Sequence, residues 1–307
     1  AYKKTLEWKE EIVYFDPFKD SGDLKGVPAT FPDGKRAAVT PGRDPRAVLS
    51  SWLTAPGNPW FARAAVNRLW FWLFGRGIIH EPDDMRRDNP PSIPALLTWL
   101  EQTFAASGYD VRSLCRTIVN SATYQLSAIP RTDVVKAERS FASYPVRRLE
   151  AEVLADALNQ ITGSTESYSS QIPEPFTFIP ERHRSISLGD GSISSSFLEL
   201  FGRPARDTGT LAERNNKPSA AQRLHMINSS HVQRKLQQSA DIRAITRLGR
   251  QPRDSITTLY LTFLSRFPTA DEAAAALRYA QRGGIGRDPG MDIAWALLNS
   301  AEFLFRH

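Results

Sequence analysis

From residue 44 onward, apolar residues recur at three- and four-residue spacing, and each run carries its own start and stop signals. Asp44-Pro45 and Asn58-Pro59 pair an N-cap with a proline at the first helical position, where a missing N–H costs nothing. The second of these runs, NPWFARAAVNRLWFWLF, stops at Gly75 and carries the stripe Phe61, Ala65, Leu69 and Leu73. Trp60, Ala64, Trp70 and Trp72 make most of the remaining circumference apolar, which predicts a central, buried helix. Only Arg63, Asn67 and Arg68 interrupt it, so these must find partners inside the fold.

PSIPALLTWLEQTFAASG and DVRSLCRTIVNSATYQL read as a helical hairpin. Its first helix buries Leu97, Leu100 and Phe104; its second, capped by Asp110, buries Val111, Leu114, Ile118 and Val119. RRLEAEVLADALNQITG is a further amphipathic helix ending at Gly163, and SISSSFLELFG a short one. Helical periodicity returns in PSAAQRLHMIN, SSHVQRKLQQSA, RDSITTLYLTFLSR, TADEAAAALRYAQR and PGMDIAWALLNSAEFLFRH. It fails in three places. Residues 1–43 are rich in Pro, Gly and Asp and read as an arm or linker in which only EIVYF is strand-like, as if the chain began part-way through a longer protein. Residues 163–192 and 203–218 are long, polar and irregular. The pattern predicts a mainly α, bundle-like domain over 44–307 with an extended N-terminal arm, two long loops and at most a few short strands. Two subdomains, 44–162 and 193–307, joined by 163–192, are one way to divide it.

Asn-Ser occurs three times in one setting, IVNSATY (118–124), MINSSHV (226–232) and LLNSAEF (297–303). Each pair falls where an amphipathic helix runs out, so we read it as a joint. Asn would close one helix in a left-handed conformation and Ser would cap the next turn. Glu302 would reach back to Asn299 as a capping box, and Tyr124, Val232 and Phe303 would pack home.

Composition narrows the function classes. Lys and Arg number 39 against 33 Asp and Glu, a net charge of +6, and dense basic patches are confined to RLGRQPR and ERHR. That fits a solvated basic face better than a nucleic-acid groove. The most apolar run, LWFWLFG, is far too short to span a membrane. Cys115 is the one cysteine, which excludes a disulfide, a thiolate zinc site or a CxxCH haem attachment within the chain, and no cofactor is expected. Its place beside Leu114 and Ile118 suits an inert, buried thiol.

Two segments concentrate chemistry. FGRGIIHEPDDMRRD (74–88) holds His80, Asp83 and Asp84, weak metal candidates because their spacing matches no metal motif and Asp83 serves equally as an N-cap. RPARDTGTLAERNNKP (203–218) holds Arg203, Arg206, Asp207, Glu213, Arg214, Asn215 and Asn216. Arg forks and amides suit carboxylate, sulfate or hydroxyl-rich ligands, while salt bridges pinning the loop explain them equally well. His183, His225 and His231 form no triad with a recognisable nucleophile, and no GxSxG, phosphate-loop, GxGxxG, HExxH or DxDxDG pattern occurs.

Taken in order, NPWFARAAVNRLWFWLFGRGI, EPDDMRRDNPPSIPALLTWLEQTF, GYDVRSLCRTIVNSATYQLS, SSFLELFGRPARDT, ERNNKPSAAQRLHMINSSHVQRKL and WALLNSAEFLFRH resemble a bacterial family of unknown function. It is the planctomycete-specific C-terminal domain (domain of unknown function 1553), often found with planctomycete c-type cytochrome domains. The resemblance implies an exported, multi-domain protein whose partner is its own missing N-terminal domain or a cytochrome-type domain. It also marks Asn67, Arg68, Arg76, Asp83 and Asp84, with Arg203, Arg206, Glu213, Arg214 and Asn215, as the polar positions to watch. Family members often carry cysteines around Thr208–Leu211; this chain does not.

Three readings follow. The chain is a binding module for a polysaccharide or a partner domain through Asn67, Arg68, Arg76, Arg203, Arg206, Arg214 and Asn215. Alternatively it is an enzyme site on an anionic, carbohydrate-like substrate, with Glu213 and Asp83 or Asp84 as acid and base and arginines as clamps. As a scaffold, it would consume those residues in internal networks.

Overall fold

The computed structural model describes residues 29–40, 43–168, 179–180, 182–188, 193–204, 213–246, 252–283 and 288–306. It is mainly helical, and the chain divides into two compact units between Tyr144 and Pro145.

The first unit contains α1 (Pro45–Leu53), α2 (Pro59–Phe74), α3 (Pro94–Ala106), α4 (Val111–Val119) and α5 (Val134–Ser140). Asp44 and Asn58 cap α1 and α2 by accepting backbone N–H groups, and Gly75 closes α2 at φ 73°. The core gathers where α2 packs on α3 and α4, around Trp70, Phe74, Leu100, Phe104, Leu114 and Ile118. Trp70 stacks on Phe74 with ring centroids 4.2 Å apart. Cys115 is half-buried at the edge of this core. Two apolar positions depart from expectation, since Trp72 is 48% and Val111 53% exposed. Helix α2 packs on α3 and α4 and buries Val66, Asn67, Leu69, Trp70 and Phe74, most of its other residues being partly buried. The last part of the arm is a tight hairpin, with Thr30 bridged to Arg36 and Phe31 stacked on Trp52 at 4.8 Å. The expected EIVYF strand lies outside the described residues.

The second unit runs through β1 (Arg147–Arg148), α6 (Ala151–Thr162), a single 3-10 turn (Ser185–Ser187), α7 (Ser196–Leu200), α8 (Ala220–Asn228), α9 (Ser230–Gln238), α10 (Ala240–Thr246), α11 (Pro252–Leu264), α12 (Ala270–Gln281), α13 (Pro289–Leu298), α14 (Ala301–Leu304) and β2 (Phe305–Arg306). Helix α6 belongs here because its apolar face packs on α7, α9 and α10. Leu154, Leu158, Phe197, Leu198, Val232, Leu259, Ala294 and Leu298 fill the core. Arg147 and Arg148, which helical periodicity would place at the start of α6, instead form β1 and pair antiparallel with Arg306 and Phe305.

The Asn-Ser pairs are joints, built differently from the expectation. None of Asn120, Asn228 and Asn299 has a positive φ. The serines make the bend: Ser229 ends α8 and caps α9 at ψ 139°, and Ser300 caps α14 at ψ 152°. Their hydroxyls accept from Val232 N–H and Phe303 N–H, as Ser121 does from Tyr124 N–H. An extended ψ at serine turns the chain without left-handed strain. Ser300, not Asn299, is the N-cap of α14, and the Glu302 carboxylate pairs with Arg266 at 2.6 Å.

Candidate functional site

In the first unit, the polar strip of α2 turns inward on its own chain. Asn67 is completely buried, donates through Nδ2 to the carbonyls of Ile79 (2.9 Å) and Pro82 (3.0 Å), and accepts from Ile79 N–H at 2.9 Å. Its amide thereby fixes the turn after α2, pressed so close to Gly77 that a Cβ there would lie 2.1 Å from Ile79 O. Arg63 pairs with Glu101 and Arg68 with Asp83, each at 2.7 Å. Asp84 is bound by Arg86, whose hydrogen bonds hold its carboxyl below the ordinary range. Arg76 Nε and His80 Nδ1 are buried without a hydrogen-bond partner among the described residues, and burial together with the Arg76 charge pushes the His80 imidazole down. Among the described residues no three His, Cys, Asp or Glu side chains converge as a metal would need, those of His80, Asp83 and Asp84 included.

In the second unit, Glu152 in the first turn of α6 is 5% exposed and takes both arginines that bracket the second irregular segment. Arg214 binds it with two parallel N–H donors at 2.7 and 2.9 Å, and Arg203 Nε stands 3.6 Å away. A buried carboxylate between two guanidiniums is a costly arrangement to break, since removing one charge strands the others. Beside it the backbone crosses itself: Asn215 N–H donates to Gly202 O at 3.0 Å, and Gly202 sits at φ 103°. Glu213 and Asn215 are exposed nearby, while Arg206 lies outside the described residues.

A more open site gathers around Glu166 and Lys235, which the sequence did not single out, together with His225 and His231, which it did. Past Gly163, which closes α6 at φ 62°, the chain lays Ser164, Thr165 and Glu166 against α9. Lys235 Nζ, 92% buried in its side chain, donates to Asn159 Oδ1 (2.7 Å), Thr165 O (2.8 Å) and Ser164 Oγ (3.1 Å) and faces Glu166 Oε2 at 3.4 Å. Glu166 also meets His231 Nε2 at 3.1 Å, and His231 Nδ1 lies 3.5 Å from His225 Nε2. Burial pushes the Glu166 carboxyl up, but His231 and Lys235 outweigh it and hold it low; burial moves Lys235 and His225 down. Around this core opens a groove of about 900 Å³, lined by residues 162–167 with Arg182, His231, Arg234, Lys235, Gln238 and Asp241. A second depression of about 440 Å³, with Asp156, Asn159, Gln160, His183 and Arg184, shares Gly163, Ser164, Thr165 and Arg182 with the first. The sequence offered only weak signals here, two histidines six residues apart and the basic ERHR, because Glu166 and Lys235 meet through packing alone.

The fold and groove define a mainly helical protein with a polar cleft in its second unit. The chain belongs to the family described as protein of unknown function DUF1553 (PSD1), which matches residues 45–280, more than half of its length. No curated protein and no solved structure matches it. Among the described residues no helix is long and apolar enough to cross a membrane.

Proposed function

We propose that the chain is a binding module of an exported, multi-domain protein, and that its second unit takes an acidic or sulfated polysaccharide in the groove along residues 162–167. The observation that carries this reading is the continuity of the two polar depressions through Gly163–Thr165 and Arg182, a track lined with hydroxyls, amides and charged groups. Lys235 is spent on its four oxygen partners, whereas Arg182 and Arg234 stand exposed at the edge and offer planar forks to carboxylate or sulfate. Arg203 and Arg214, expected to serve that purpose, are engaged by Glu152. Titration calorimetry with neutral, uronic and sulfated oligosaccharides tests it. Acidic oligomers should bind, and the double variant Arg182→Ala/Arg234→Ala should lose about tenfold or more in affinity, as charged hydrogen bonds imply. Binding unchanged in that variant, or absent across the panel, would overturn the assignment and leave the N-terminal or cytochrome-type partner domain as the ligand to try.

One observation favours an enzyme acting on the same ligand. Glu166 orients His231, whose second ring nitrogen faces His225, an arrangement suited to general base work in a polar cleft. Of the expected carboxylates, Asp83 is paired with Arg68 and Asp84 with Arg86. Depolymerisation of the bound oligosaccharide that stops in His231→Gln, with binding retained, would select this reading.

A further inference from the structure

Among the described residues of the second unit, two arginines are almost fully buried, and one of them has a counterion there. Arg203, 4% exposed, faces Glu152. Arg148, 6% exposed on β1, has no carboxylate within ion-pair reach among the described residues. Its Nη2 donates to the carbonyl of Phe201 at 2.6 Å, and its guanidinium lies over the Phe201 ring, 5.1 Å from the centroid. Its Nε and Nη1 are buried and meet no acceptor among the described residues. Burial pushes the guanidinium pKa down. A desolvated cation with unsatisfied donors is costly, and what relieves it is an anion.

The space for one is present. A pocket of about 260 Å³ borders Arg148, with Phe201, Met226, Ile227, Leu304 and Phe305 as apolar wall. That is room for roughly nine non-hydrogen groups at the volume a water takes in the liquid, about 30 Å³. One buried cation, Arg148, in a mainly apolar wall that also carries Ser219, Gln222, Asn299 and the exposed Arg223 matches one negative charge on a short hydrocarbon body. We propose that the pocket is a binding site for a small monocarboxylate with an aliphatic or aromatic body, and that Arg148 receives its carboxylate. The assignment rests on its own observations and is independent of the groove.

The test uses the full chain, ligand-observed NMR and calorimetry, with hexanoate and benzoate as probes and hexanamide as the uncharged control. Both carboxylates should bind with a Kd below about 1 mM, and the amide at least about tenfold more weakly. Arg148→Met should abolish carboxylate binding. Because that change touches a buried residue, a second variant, Ala301→Phe, fills the pocket mouth from an exposed position and should abolish binding with the melting temperature unchanged. Arg182→Ala/Arg234→Ala should leave it intact. No carboxylate binding to the unmodified chain, equal binding of the amide, or binding that survives Ala301→Phe would each overturn the proposal, and Arg148 would then be only the donor that holds Phe201.

Discussion

Asn67 shows how one side chain fixes a stretch of backbone. Its amide makes three hydrogen bonds and is completely buried, so removal leaves a buried N–H and two buried carbonyls unpaired. Asn67→Ala should therefore cost about 2–4 kcal/mol, visible in urea titration as a lower midpoint at unchanged slope. Asn67→Asp, nearly identical in shape, should cost at least as much, because it turns an acceptor toward Ile79 O and Pro82 O. This residue was legible in the sequence: a polar side chain inside an otherwise apolar helix has to be satisfied. Arg148 was not. Its environment is set by Phe201 and Phe305, far along the chain, and an arginine ahead of an amphipathic helix gives no local sign of burial.

Among the elements, those with local causes were readable. Asp44, Asn58 and Asp110 cap the helices that follow them, and Gly75 and Gly163 close theirs, because cap chemistry is decided within a turn or so of sequence. The Asn-Ser joints were readable as joints, while the choice of serine over asparagine as the bending residue depended on how the next helix packs. Strands β1 and β2 were unreadable, since each is two residues long and exists only through its partner. Gly202 belongs with the elements because it ends α7 and opens the irregular segment. At φ 103° a side chain is strained, and its Cβ would lie 2.0 Å from Asn215 O. Gly202→Ala should destabilise the second unit by about 3 kcal/mol or more, measured as a fall in its unfolding midpoint. The same change at Gly34, also left-handed but with nothing within 4 Å, should cost less.

At the scale of the molecule, each unit has its own core and the division falls between Tyr144 and Pro145, whereas the sequence offered 44–162 and 193–307 as one way to divide the chain. Periodicity reports which face is apolar, not which neighbour covers it. In the second unit α11, α12 and α14 are tied by Arg266, which binds Glu272 at 2.8 Å and Glu302 at 2.6 Å. The hydrogen bonds from Arg266 take the Glu272 carboxyl from 4.5 to about 2. A lowered carboxyl contributes stability above its ordinary pKa and loses it as pH falls toward the folded value. Glu272→Gln should thus lower stability at neutral pH by about 1 kcal/mol or less, given its exposure to water. That deficit should shrink as pH drops from about 4.5 to about 2, followed by denaturation at stepped pH. The tryptophans supply a way to watch this. Trp52, Trp60, Trp70, Trp72 and Trp99 all precede the division, and Trp295, on α13, is the one tryptophan after it. Emission excited in the indole band therefore reports mostly on the first unit, and a Trp295→Phe subtraction isolates the second: the chain carries a built-in spectroscopic label for telling which half melts first.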